Sequence, residues 1–269
     1  MSLLWRDEIR IWLAPGELRI RRLRRGIRPV CIADATHPIE NATDWQPVIT
    51  TLGSCLAEEA WRGAAARIAV SNRLARYAIV PWSDTLTREA ERLAHARICL
   101  ADNYGNTGPE WRVCLSEAAP GARRVACALP ERLVADLRAL LDVHRVPMLS
   151  VQPALIAAYN RCRHLLPETA CWFVNIEPGA LVAARLAPSG WESVYSARIG
   201  ADWSTELLRL RMFAKLAAQN SSEGRVFVDA PERLRRSAET TEPGIEWLEA
   251  SDESAIADSE DGRSLRLST

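Results

Sequence analysis

The sequence predicts an α/β protein assembled from two related halves, each opening on a three-stranded meander and continuing in alternating helices and strands. Two observations carry this. Pro15-Gly16-Glu17-Leu18 running to Arg22-Leu23 is echoed by Pro178-Gly179-Ala180-Leu181 running to Arg185-Leu186, and each motif follows an apolar run. The order of the elements after each motif is also the same.

Taking the elements in order, Ile9, Ile11 and Leu13 alternate into a turn at Ala14-Pro15-Gly16, and Leu18 and Ile20 resume on the far side, which is a hairpin. Val30-Cys31-Ile32 adds a third strand, and Asp34 to Asp44, with Pro38 and Asn41, reads as loop. Trp45 to Ala66 gives a helix through Val48, Ile49, Leu52, Leu56 and Trp61, overlapping a short strand at 66–71, with another at 77–81. Thr85 to Ala101 keeps a helical period through Leu86, Ala90, Leu93 and Ile98, with Ser83-Asp84 as the cap. The glycine-rich stretch 103–109 is a turn, and strands beginning at Trp111 and Val125 flank Ala119-Pro120-Gly121.

Pro130 starts a helix to His144 with Leu133, Leu137, Leu140 and Leu141 on one face. A strand over 146–151 and a helix over 153–165 close the first half. The second half repeats the theme with strands at 171–176, 180–186 and 191–198, a helix at 202–219, a strand at 225–228, a short helix at 231–237 and a last strand at 245–248. These boundaries divide the chain into a lobe over 1–165 with an inserted segment at about 102–150, a second lobe over 166–250, and an acidic, serine-rich tail over 251–269 expected to be disordered.

Composition narrows the functional classes. With 269 residues and 48% apolar content the chain can bury a sizeable core. Basic and acidic residues balance at 34 each, so there is no global field for a nucleic acid. Lys215 is the only lysine, which excludes a phosphate loop ending in Gly-Lys-Ser/Thr. The seven cysteines are scattered without a Cys-x-x-Cys pair and read as free thiols in a reducing compartment. No stretch approaches the roughly 20 apolar residues of a membrane span, and a cytoplasmic location is expected. The four histidines lack ligand spacing, and Ser71 lacks the glycines of a nucleophile elbow, so no catalytic residue or metal site is assigned. Trp172, Trp191 and Trp203 are expected in the core.

The arginine run Arg19, Arg21, Arg22, Arg24 and Arg25 lies on a predicted strand, with Arg19 and Arg21 on one face and Arg22 on the other. It reads as a basic strand edge that resists aggregation. The sharper reading is a surface for anionic headgroups or an acidic segment of a membrane-anchored partner, which leaves peripheral association with the inner membrane open.

Three strands followed by helix, strand, helix and strand, and then repeated, resembles the actin-like, ribonuclease H-like ATPase architecture. The tracts Val70 to Tyr77, the segment around Trp111, Leu149 to Leu155 and Trp191 to Gly200 resemble the PilM, MshI and GspL group, actin-like cytoplasmic components of type IV pilus and type II secretion assemblies. In that family the hairpin turns carry Asp-x-Gly, and the resemblance implies a nucleotide site at Gly16, Asn175, Glu177 and Gly179. Aligning glycines puts Ala14 at the first aspartate and Glu177 at the second. A phosphate cradle points backbone N–H groups at the anion, and Pro15 and Pro178 have none to offer. Ala14 cannot order Mg²⁺, and Glu17 would put a carboxylate beside the phosphates. One lost hydrogen bond costs about 1–3 kcal/mol, and the losses accumulate.

The expectation is therefore a non-catalytic scaffold without a cofactor, binding the cytosolic segment of an inner-membrane pilus or secretion protein, with homo-oligomerisation left open. The alternatives are a weakly hydrolysing ATPase that holds ATP with Mg²⁺ through Asn175 and Glu177, and a small-molecule kinase of the same superfamily.

Overall fold

A computed structural model describes residues 6–26, 29–40, 44–105, 110–200, 203–217, 224–232, 234 and 245–248. The first meander is β1 (Glu8–Ala14), β2 (Glu17–Arg24) and β3 (Val30–Pro38), followed by α1 (Gln46–Ala57), β4 (Ala65–Val70), β5 (Arg76–Val80), α2 (Glu89–Tyr104), β6 (Trp111–Leu115), β7 (Arg124–Pro130), α3 (Glu131–Val143), β8 (Met148–Pro153) and α4 (Ala154–Cys162). The second is β9 (Cys171–Glu177), β10 (Ala180–Ala187) and β11 (Gly190–Arg198), followed by α5 (Trp203–Ala217), β12 (Arg225–Asp229) and β13 (Ile245–Trp247).

The two large sheets have the same design. Their orders are β3-β2-β1-β4-β8 and β11-β10-β9-β12-β13, antiparallel within each meander and parallel from there outward. A three-stranded antiparallel sheet, β5-β7-β6, stands apart from both.

Each meander begins with a two-residue Pro-Gly turn, because proline fixes φ at the first central position and glycine takes the positive φ of the second. Gly16 has φ 96° and Gly179 has φ 83°. In both halves the end of the third strand clasps that turn: Ile39 N–H donates to the Gly16 carbonyl at 2.9 Å, and Ile199 N–H to the Gly179 carbonyl at 3.3 Å. The sequence echo is thus a structural duplication down to its turn hydrogen bonds.

Alternation along β1 sends Ile9, Ile11 and Leu13 into a core with Val48, Leu52 and Leu56 of α1 and Leu133, Leu137 and Leu141 of α3. β9 is buried at every position because helices cover both its faces. Phe173 packs with Leu155 and Ile156 of α4, and Trp172 and Val174 pack with Trp203 and Leu207 of α5. Trp172, Trp191 and Trp203 are all buried, as expected from the sequence. In the small sheet, Ala78, Val80, Val113 and Ala126 pack against Ala96 and Leu100 of α2.

Several boundaries differ from the sequence expectation. Residues 34–38 are strand, not loop: Ala33 and Ala35 pack against the first core while Asp34 and Thr36 face solvent, a two-residue alternation hidden by the polar content. α1 stops at Ala57 instead of continuing to Ala66, and a short 3-10 turn over Glu59–Trp61 precedes β4. α2 begins at Glu89 with Arg88 as its cap residue, later than Ser83-Asp84, and Arg88 N–H donates to Glu91 Oε2 at 3.1 Å. The tail 251–269 and most of the short helix at 231–237 lie outside the described residues.

Candidate functional site

The two Pro-Gly turns face a short segment of the first half. After β4 the chain makes a 3-10 turn, Asn72–Leu74, whose first amides are organised by Ser71: its Oγ accepts from Arg73 N–H at 3.2 Å. Ser71 is completely buried, and Asn72 nearly so. These groups sit between the two large sheets.

Glu177, at the end of β9 just before the second turn, is 2% exposed. Its Oε1 accepts from Ser71 Oγ at 2.6 Å, while Oε2 has no hydrogen-bond partner. Burial pushes the Glu177 carboxyl up to about 7; the Ser71 hydroxyl, the Arg73 and Asn72 amides and the Arg73 charge pull the other way and are outweighed.

Two residues earlier on the same strand, Asn175 completes a second bridge. Asn72 Nδ2 donates to Asn175 Oδ1 at 2.7 Å, and Asn175 Nδ2 donates to Asp229 Oδ2, at the end of β12, at 2.9 Å. Asp229 Oδ1 in turn holds Arg161 of α4 at 2.8 Å. On the other side, Asn72 Oδ1 accepts from Tyr77 Oη at 2.5 Å and from Leu155 N–H at 3.0 Å. Burial raises the Tyr77 hydroxyl well above its ordinary value, so it stays a donor. Both Asn72 and Asn175 use their carbonyl and amide ends, which is the condition for a buried polar network to stabilise.

Arg73 spans the two turns. Its guanidinium donates to the Pro15 carbonyl at 3.0 Å, and its Cδ lies 3.4 Å from where a β-carbon on Gly179 would stand. A cation of this chain therefore lies against both hairpin turns.

The sequence-predicted site residues are thus partly united. Asn175 and Glu177 form one buried cluster, and Gly16 and Gly179 mark the two turns that Arg73 connects. Ser71, Asn72, Arg73, Tyr77, Arg161 and Asp229 were missed as site residues. The available signal was a polar Ser-Asn-Arg run directly after an apolar strand, and an aspartate closing another.

The arginine run does not form one basic edge. β2 is an interior strand between β1 and β3, so its backbone is paired on both sides. Arg22 points to the opposite face from Arg19 and Arg21, with its Nε and Nη2 on Asp7 Oδ2 at 3.0 and 2.8 Å. Arg19 pairs with Glu17, Arg21 with Asp34, and Arg25 with Glu8. Arg24 is exposed. Glu8 is mostly buried and also accepts from Arg10 and Arg67, at 3.1 and 2.9 Å. Burial raises its carboxyl, and the charges and hydrogen bonds of Arg67 and Arg10 outweigh this and hold it below the ordinary value.

The donor set of the central cluster is poor for a metal: among the described residues no group of three or more histidine, cysteine, aspartate or glutamate side chains is placed to hold one. Nor is any helix among them long and apolar enough to cross a membrane.

No protein-family model matches the chain, and no curated protein matches it. Solved structures do. The PilM-PilN type IV pilus biogenesis complex matches with a TM-score of 0.63 at 13% identity, covering 90% of this chain and 88% of the other. A Bacteroides thetaiotaomicron protein described as having an actin-like ATPase fold and unknown function matches with a TM-score of 0.61 at 8% identity, over 94% and 95% of the two chains. The cytoplasmic domain of EpsL, an inner-membrane component of the type II secretion system of Vibrio cholerae, matches with a TM-score of 0.56 at 8% identity, over 90% and 86%. Together with the duplicated sheets and the clasped Pro-Gly turns, these likenesses establish that the chain is built on the actin-like ATPase fold.

Proposed function

We propose that this protein is a non-catalytic scaffold of a type IV pilus or type II secretion-like assembly, and that it binds the cytosolic segment of an inner-membrane protein. The observation that carries the non-catalytic half is Arg73. A nucleotide held between the lobes of such a fold needs its phosphates against the two hairpin turns, and here Arg73 lies against both while Ser71 and Asn72 bond directly to Glu177 and Asn175. Pro15 and Pro178 remove two N–H donors that a phosphate would use, and Ala14 has no ligand atom for Mg²⁺. The residues present do not fit MgATP.

The pilus or secretion setting is supported by fold likeness to PilM in its complex with PilN and to the EpsL cytoplasmic domain. The test has two arms. Calorimetry with Mg²⁺ and ATP on the full chain is expected to give no heat of binding up to millimolar ligand, and micromolar affinity lost in Glu177→Ala would overturn the non-catalytic reading. Synthetic peptides copying the cytosolic termini of membrane proteins encoded beside this gene are expected to include one that binds saturably. Failure of all of them would overturn the scaffold reading.

A further inference from the structure

The small sheet carries an unrelated polar corner. β5 leaves the sheet at Val80 and continues through Pro81, Trp82 and Ser83, and Arg124, in register with Val80, opens β7 beside it. α2 lays Arg92 and His95 over this corner, one turn apart and so on one face. Between them is a shallow open depression, about 290 Å³ with the solvent at its mouth counted, and small for a ligand site. It suits one functional group with a short stem better than a whole cofactor.

The walls and the floor differ in character. Val80, Leu86, Leu115 and the Trp82 ring make apolar walls, and Trp82 is held by its indole N–H on Asp84 Oδ1 at 2.7 Å. The Arg124 guanidinium carbon lies 5.6 Å from the Trp82 ring centroid. Arg124 Nε and His95 Nδ1 are both buried without a hydrogen-bond partner. No acidic residue is among those lining the depression, and among the described residues neither Arg92 nor Arg124 enters an ion pair. Several half-buried arginines elsewhere meet a carboxylate, Arg22 on Asp7, Arg67 on Glu8, Arg112 on Glu131, Arg161 on Asp229 and Arg185 on Glu192, whereas Arg76, like Arg124, lies against aromatic rings, those of Tyr104 and Trp111. A buried donor left unpaired costs free energy, and a guanidinium costs more than a neutral group.

We propose that this corner binds a carboxylate carried on an apolar stem, the side chain of an acidic residue in a partner polypeptide. The guanidinium N–H groups of Arg92 and Arg124 supply charge-assisted hydrogen bonds to the carboxylate oxygens, His95 lies beside them, and the Trp82 ring and leucines cover the methylenes behind it. Inorganic phosphate matches less well, because its polar surface on all sides would meet the apolar walls. The inference stands on the small sheet alone and does not depend on the function proposed above.

The full chain is titrated with acetyl-Leu-Glu-Leu-amide, with acetyl-Leu-Gln-Leu-amide and with inorganic phosphate at constant ionic strength, reading the His95 ring resonances. The glutamate peptide is expected to shift them saturably, and the glutamine peptide to bind about tenfold more weakly, the loss of one charge-assisted contact. Arg124→Gln and Arg92→Gln should each weaken the glutamate peptide by a similar factor. Arg92 is half-exposed on a helix, so its variant reports even if Arg124→Gln fails to fold. Overturning results are no saturable shift, equal response to the two peptides, or an unchanged affinity in a folded variant. Saturation by phosphate alone would assign the site to a free inorganic anion and overturn the polypeptide assignment.

Discussion

Ser71 and Glu177, 106 residues apart in the chain, share a buried hydrogen bond of 2.6 Å that joins the end of one sheet to the end of the other. The bond ties a titratable group to the contact between the lobes, and the stability of the molecule should register its charge.

The Glu177 carboxyl is raised from 4.5 to about 7, so between those values the folded state holds a proton that the unfolded state releases. Its contribution is fully present below pH 4.5, declines as pH rises, and is gone above about pH 7. The change is on the order of 3 kcal/mol. Urea unfolding of the wild type and Glu177→Gln across this window should show the slope in the first and a flatter profile in the second.

Glu8 should act with the opposite sign. Its carboxyl is held low by Arg67 and Arg10, so its contribution is present above pH 4.5 and is lost as pH falls through the folded value. Glu8→Ala leaves Arg10, Arg25 and Arg67 around an empty position and should cost about 2–4 kcal/mol at neutral pH. High salt should reduce that difference, measured by chemical denaturation.

Asn72→Ala removes the hub of the inter-lobe network. Tyr77 Oη, Leu155 N–H and Asn175 Oδ1 all lose a partner in a buried place, and each unsatisfied group costs about 1–3 kcal/mol. A loss of about 3 kcal/mol or more is expected in thermal or urea unfolding. A loss below about 1 kcal/mol would mean that the lobes do not depend on this contact.

Gly179→Ala places a β-carbon on a residue at φ 83° and against Arg73 at 3.4 Å. Backbone strain should cost about 1–2 kcal/mol. Combining it with Arg73→Ala in a double-mutant cycle should recover only the steric part, leaving a coupling of about 0.5–1 kcal/mol.

Much of the fold was legible because its signals are local. Ile9, Ile11 and Leu13 alternate as a half-buried strand must, and Pro15-Gly16 and Pro178-Gly179 mark turns whose backbone they dictate. Strand β3 was misjudged in part because Asp34 and Thr36 look like loop residues until their alternation with Ala33, Ala35 and His37 is set against a partner strand. Glu177 and Asn175 were found through the duplication of the turns. Ser71, Asn72 and Arg73 were not, because their role depends on contacts between halves of the chain more than a hundred residues apart, which no periodicity records. The arginine run misled for a related reason: Arg19, Arg21, Arg22 and Arg25 are met by Glu17 on their own strand and by Asp34, Asp7 and Glu8 beside it, while Arg24 stays exposed.

The clasp by Ile39 and Ile199 ties each Pro-Gly turn to the end of its own third strand. With Arg73 lodged against both, a displacement of either turn is passed to the other through one side chain. In the non-catalytic reading proposed above, any timing in the life of this molecule comes from outside, through the arrival and departure of its neighbours.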